Sequence, residues 1–156
     1  METLTLHHLC LDSHDVESTL SGLVNLKSLE IKRCKLPSYL SLSLLTRLEE
    51  LVVWLCFGLE RVNLANPMLV ELGIVCKRTV SLSLTGVPNL KVFCHAVHDA
   101  GLRRIFSKLP EVLPGLITLA VHARSNWTEY MPENIATFSR LRTLIIGLDH
   151  KAGDIM

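Results

Sequence analysis

The hydrophobic positions of this chain repeat as a phrase, most fully in Leu26 to Leu36, LKSLEIKRCKL. Reading inward positions only, the phrase is L-x-x-L-x-L-x-x-C-x-L. It opens at Met1 (with Leu4 and Leu6) and returns at Leu26 (Leu29, Ile31), Leu48 (Leu51, Val53), Leu69 (Leu72, Ile74) and Leu90 (Phe93). It closes at Leu116 (Leu119, Val121) and Leu141 (Leu144, Ile146). Successive starts are 25, 22, 21, 21, 26 and 25 residues apart. Within L-x-x-L-x-L the period is two, which predicts a strand with apolar side chains on one face and the intervening residues on the other.

A short strand recurring every 20–29 residues or so is the signature of a leucine-rich repeat. The expected fold is therefore an α/β leucine-rich-repeat solenoid of about seven coils. A curved parallel sheet forms its concave side, and short helices and β segments form its convex side. At about 4.8 Å per strand the concave face is about 30 Å long. One solenoid fills residues 1–156. Met1 opens inside a repeat and little chain follows Ile146, so the expectation is a fragment of a longer protein without terminal caps.

The return segments differ. Asp15 to Leu20 reads as a short helix capped by Ser13 or Asp15, and Ser38 to Leu48 as a second helix entered through Pro37. Asp99 to Leu109 reads as a longer helix stopped by Pro110, and Pro132 as the start of another running to Phe138. By contrast, Leu59 to Pro67 (LERVNLANP) and Thr79 to Pro88 (TVSLSLTGVP) alternate like strands, so those two coils should be β on both sides.

Composition narrows the function. The chain is 49% hydrophobic and 5% aromatic, a core of branched aliphatics. With 16 Lys and Arg against 15 Asp and Glu, no field argues for nucleic acid or an anionic membrane. No run is long and apolar enough for a membrane helix, and no signal peptide opens the chain. An intracellular protein, cytoplasmic or nuclear, is the expectation, so the glycosylation acceptor at Asn126-Trp127-Thr128 should stay unmodified. Five cysteines argue against a disulfide framework. Cys34 and Cys56 fall at the ninth position of the phrase, where the side chain turns inward, and read as buried thiols.

Catalytic chemistry finds no constellation. Cys94-His95-x-x-His98 offers three metal-ligand types, but strand alternation sends Cys94 and His95 to opposite faces. Glu49-Glu50 diverge for the same reason, and His7-His8 divide between the face and its edge. No glycine-rich phosphate loop is present. The reading is a non-enzyme without cofactor or metal.

Binding is the stronger reading, because an open curved sheet is an extended docking surface. The outward residues are polar in the first two coils and largely apolar from the third onward. Candidate contacts are His7, Glu30, Lys32, Glu50, Trp54, Glu71 and His122. Trp54, the one large aromatic of the set, is the expected anchor; packing beneath a further segment would suit the same apolar residues.

Three passages resemble the leucine-rich-repeat region of plant F-box proteins: Leu45 to Ile74 (LTRLEELVVWLCFGLERVNLANPMLVELGI), Thr79 to Phe93 (TVSLSLTGVPNLKVF) and Ile105 to Val121 (IFSKLPEVLPGLITLAV). The resemblance implies substrate recognition for an SCF-type ubiquitin ligase, with an unknown protein substrate as partner. The F-box is absent from this sequence, so contact with a Skp1-type SCF subunit is implied only for a longer form. Plant intracellular immune receptors share the repeat grammar and supply the alternative, beside a truncated copy without independent activity.

Overall fold

A computed structural model gives the fold, and it describes residues 1–97, 101–123 and 138–148. In chain order the elements are β1 (Thr3–His7), α1 (Ser13–Ser21), β2 (Ser28–Lys32), β3 (Tyr39–Ser41), β4 (Glu50–Trp54) and β5 (Arg61–Asn63). They continue with β6 (Glu71–Val75), β7 (Ser81–Leu82), β8 (Val92–Val97), α2 (Gly101–Val112), β9 (Thr118–Ala123) and β10 (Thr143–Leu148). All seven predicted phrases form strands, and these pair in parallel in the order β1-β2-β4-β6-β8-β9-β10.

The register has no slip: each position of the phrase lies beside the same position of the next coil. Leu4, Leu29, Leu51, Leu72, Phe93, Leu119 and Leu144 form one inward row. Leu6, Ile31, Val53, Ile74, His95, Val121 and Ile146 form the next. From the second coil to the sixth both rows are buried, and each enclosed aliphatic contributes about 1.5–3 kcal/mol. A repeated turn feeds the concave strands of the second to sixth coils: the first leucine of the phrase donates to the carbonyl three residues earlier, as in Leu48 N to Leu45 O and Leu69 N to Asn66 O, both 3.0 Å. Cys34 and Cys56 are buried and free, as their position predicts. Their thiols donate to strand carbonyls, Cys34 Sγ to Lys32 O at 3.3 Å and Cys56 Sγ to Ile31 O at 3.5 Å.

The returns bring three corrections. The cap of α1 is Asp12, not Ser13 or Asp15: its carboxylate accepts from Asp15 N at 2.8 Å, while Asp15 reaches back to Asp12 N at 3.2 Å. This reciprocal box ties up two donors that the first turn leaves unpaired. Ser38 to Leu48 is not a helix but carries β3, which pairs with β5, and β5 with β7, in a second, three-stranded sheet. Tyr39-Leu40-Ser41-Leu42 alternates exposed and buried, and the strand beside it settles a period that leucine spacing alone left ambiguous. Pro110 lies inside α2 rather than ending it. Proline removes one donor and crowds one carbonyl, yet the helix closes beyond it with Leu113 N to Leu109 O at 2.8 Å. The helix expected from Pro132 lies outside the described residues up to residue 137.

His95 is the polar intrusion in an otherwise aliphatic row. It is 6% exposed, and burial lowers its pKa below the ordinary 6.5, the bond to Ile74 O partly opposing the shift. The unfolded chain therefore takes up a proton near that ordinary value while the native chain does not. Stability should be present above about 6.5, fall as the pH drops below it, and level off once the native imidazole also protonates. Urea unfolding at pH 7.5 and 5.0 should show this fall, with a slope from one proton of at most about 1.4 kcal/mol per pH unit. A His95→Gln variant should lose that component of the slope.

Candidate binding face

The outward positions stack into three rows. Starting at the N-terminal ends of the strands, the first runs Thr3, Ser28, Glu50, Glu71, Val92, Thr118, Thr143. The second runs Thr5, Glu30, Val52, Gly73, Cys94, Ala120, Ile145. The third runs His7, Lys32, Trp54, Val75, then Ala96, His122, Gly147, with Val75 and Ala96 one step beyond the Ile74–His95 pair.

Trp54 and His122 are the organising pair of the third row. Their strands, β4 and β9, are separated by β6 and β8, about 14 Å along a flat sheet. Their ring centroids nevertheless lie 6.0 Å apart with planes at 90°. An edge-to-face contact over that gap requires both side chains to lean across the two strands between them. The residues beneath are small, and although they point out of the sheet they are buried: Val75 6% exposed, Ala96 2%. On the far side, the imidazole fills the space that a side chain at Gly147 would take, with Nδ1 2.9 Å from the ideal Cβ position.

Beside this roof, at the C-terminal ends of β1, β2 and β4, lies a hollow of about 420 Å³. Val52 and Trp54 supply its apolar surface, and His7, Glu30 and Lys32 its polar one. Glu30 is shared: one carboxylate oxygen pairs with Lys32, and the other lies 4.0 Å from His7 Nε2. His8, Arg33 and Leu55 complete the lining. These three occupy the position after the strand in successive coils, each in left-handed backbone with φ of 54°, 52° and 53°. Such backbone costs a non-glycine residue on the order of 1 kcal/mol or more. It is held here by bonds to the next coil, Arg33 N to Trp54 O at 2.9 Å and Leu55 N to Val75 O at 2.7 Å. Among the described residues no carboxylate pairs with Arg33.

Of the seven candidate contacts, His7, Glu30, Lys32 and Trp54 converge on the hollow, and His122 braces Trp54 from behind. Glu50 and Glu71 do not join them. They are neighbours in the first row, four residues and so about 13 Å from the third along the strands. The residues that alternation missed are His8, Arg33 and Leu55, because period-two reasoning ends where the strand ends. The available signal was the eighth position of the phrase.

Other candidate chemistry disperses. Cys94 is on the outward face and His95 inside, as expected, and His98 lies outside the described residues. Burial, and then the nearby Glu71, raise the Cys94 thiol pKa, which keeps it protonated. The grouping of possible metal ligands among the described residues, Asp12, His14 and Asp15, is exposed, and two of its members are engaged in capping α1.

No curated protein and no solved structure matches the chain. A family model described as At1g61320/AtMIF1, LRR domain, matches it across residues 1–156. Repeat period, parallel concave sheet and that match agree: the chain belongs to the At1g61320/AtMIF1 LRR domain family.

Proposed function

We propose that the concave face recognises a protein partner, with the hollow as its anchor point. The partner inserts an apolar or aromatic side chain against Trp54 and Val52 and places a carboxylate near Arg33. The observation that carries this reading is the half-buried Trp54, fixed by His122 beside a hollow that also holds Arg33, a cation with no ion-pair partner among the described residues. Fixing the indole before binding reduces the ordering cost of association, and aromatic anchors carry a disproportionate share of binding energy. In such a role the domain is an interaction module, of a class that is typically non-catalytic.

Peptides selected by display against the chain should share a bulky apolar residue close to Asp or Glu. Trp54→Ala should weaken them at least about tenfold, the threshold of a strong interface residue, while Tyr39→Ala on the convex side leaves affinity unchanged. Selected peptides that bind Trp54→Ala as well as wild type would overturn the assignment. The F-box resemblance extends the proposal: in a longer form the bound protein is presented to an SCF-type ligase. Sequencing the transcript beyond its 5′ end tests that extension. An in-frame F-box supports it, and a nucleotide-binding domain supports the immune-receptor reading instead.

A further inference from the structure

The convex surface passes from strands to a helix after β7, and that change opens a cleft. Leu40 on β3, Val62 on β5 and Leu82 on β7 are register partners. Leu40 and Val62 are each 1% exposed, and two residues on Leu42 and Leu64 are 0% and 2% exposed. The same positions one coil later, Leu82 and Leu84, are only half-buried. The reason lies in the next return. β7 is the last strand of its sheet, and the coil that follows returns through α2. A helix about 10 Å wide cannot sit at the roughly 4.8 Å spacing of a strand. The mismatch leaves a cavity of about 520 Å³ between β7 and α2, within the range of small-molecule pockets.

Its walls are mixed: Thr79, Ser81, Ser83, Thr85 and Lys108 line it beside a set of apolar side chains. Leu82 and Leu84 face Ile105, Leu109 and Val112 of α2, with Val97 of β8 at the base. His95 lines the same space. In the six other coils this position holds Leu6, Ile31, Val53, Ile74, Val121 and Ile146. His95 Nδ1 lies 3.1 Å from Ile74 O. A carbonyl only accepts, so Nδ1 carries the proton and Nε2 the lone pair. Among the described residues the ring's hydrogen bond is the one at Nδ1, and Nε2 is the acceptor left for the cavity that His95 lines. The ring is held by stacking on Phe93, centroids 5.6 Å apart and planes at 21°. A fixed acceptor beside Leu82, Leu84 and Ile105 is a recognition element.

We infer that this cleft binds a neutral, mostly apolar small molecule carrying one hydroxyl, an aliphatic or aromatic alcohol that donates to His95 Nε2 while its hydrocarbon body packs between β7 and α2. Because Nε2 accepts, the ligand's hydroxyl is bound with its proton in place. An added peptide strand along the open edge of β7 would pair with backbone and leave the imidazole unused. The site is on the opposite side of the solenoid from the Trp54 hollow, and the two readings stand or fall separately.

The probes are 2-naphthol and 2-methoxynaphthalene, alike in apolar body but differing in the hydroxyl proton. Titration of the full chain, followed by calorimetry and by the imidazole nitrogen signals of His95, should give saturable one-to-one binding of 2-naphthol with Nε2 shifted. The methyl ether should bind about tenfold more weakly, the loss expected for one well-placed hydrogen bond. Leu84→Trp, which fills the cleft from its half-exposed wall, should abolish binding, and Ile105→Trp closes it from the helix side should the first variant lose its thermal transition. Trp54→Ala should leave binding intact. Equal affinity for the two probes, no saturable binding, or binding unchanged in a folded cleft-filled variant would each overturn the inference. So would shifts confined to the β7 amides with His95 unmoved, which would mark a strand edge instead.

Discussion

Replacing Asn66 by alanine is expected to lower the unfolding free energy by about 2–4 kcal/mol, the sum of three lost hydrogen bonds at about 1 kcal/mol each and a small void. Asn66 is fully buried. Its amide donates to Leu42 O at 2.9 Å and Leu45 O at 2.8 Å, both in the preceding coil, and its carbonyl accepts from Ala65 N at 3.1 Å. It thus clamps the third coil to the second, the two coils that supply Lys32, Arg33 and Trp54 to the hollow. The corresponding turn position holds Leu23, Leu45, Val87 and Leu113 in other coils, each accepting from the first leucine of the next phrase.

That comparison makes the experiment discriminating. Leu42 O and Leu45 O also accept from Leu45 N and Leu48 N, both at 3.0 Å, so removing the amide does not strip them of every partner. Asn66→Leu fills the void with the residue type that neighbouring coils use and should cost less than Asn66→Ala. Urea unfolding of both variants checks this, the slope reporting whether the coils still unfold together. Equal losses in the two variants would place the whole effect in the hydrogen bonds. A smaller slope in either would mean that the coils before the break have uncoupled from those after it, as nearest-neighbour stability in a solenoid allows.

The concave strands were legible because one period decides them: Leu29 and Ile31 can face the core together only in a strand of that register. The convex side was less legible because its elements depend on their neighbours. Leu40, Leu42, Leu45 and Leu48 satisfy a helical spacing nearly as well as an alternating one, and β5 lying alongside selects the strand. Pro110 signals a stop in the sequence, but the helix needs only to forgo one donor near its end. At the binding face, alternation found His7, Glu30, Lys32 and Trp54. It could not find the Trp54–His122 contact, which depends on sheet curvature and on small residues at Val75, Ala96 and Gly147. Nor could it find Arg33 and Leu55, whose outward aim comes from backbone bonds to the following coil.

Gly58→Ala should be the most damaging single methyl addition on the face-proximal side, at about 3–5 kcal/mol from two costs acting together. Gly58 has φ +90°, and an added Cβ would lie 2.3 Å from Leu36 O. The obstacle is backbone, so relief requires the second and third coils to separate where Leu36 N bonds Phe57 O at 2.9 Å. Gly86 separates the two costs. Its Cβ would meet Leu64 O at 2.1 Å, but its φ lies outside the left-handed range. If close approach dominates, Gly86→Ala should cost as much as Gly58→Ala; if backbone conformation contributes its expected 1–2 kcal/mol or so, Gly58→Ala should be worse by that margin. Gly115, with nothing within 4 Å of its Cβ position, is the control, and Gly115→Ala should change stability by less than about 0.5 kcal/mol. Because Gly58 follows Leu55 by three residues, the coil separation should also distort the hollow. Any folded Gly58→Ala protein should therefore bind the selected peptides more weakly than wild type, whereas Gly86→Ala, one coil further on and on the return path, should lose stability while its folded fraction keeps its affinity.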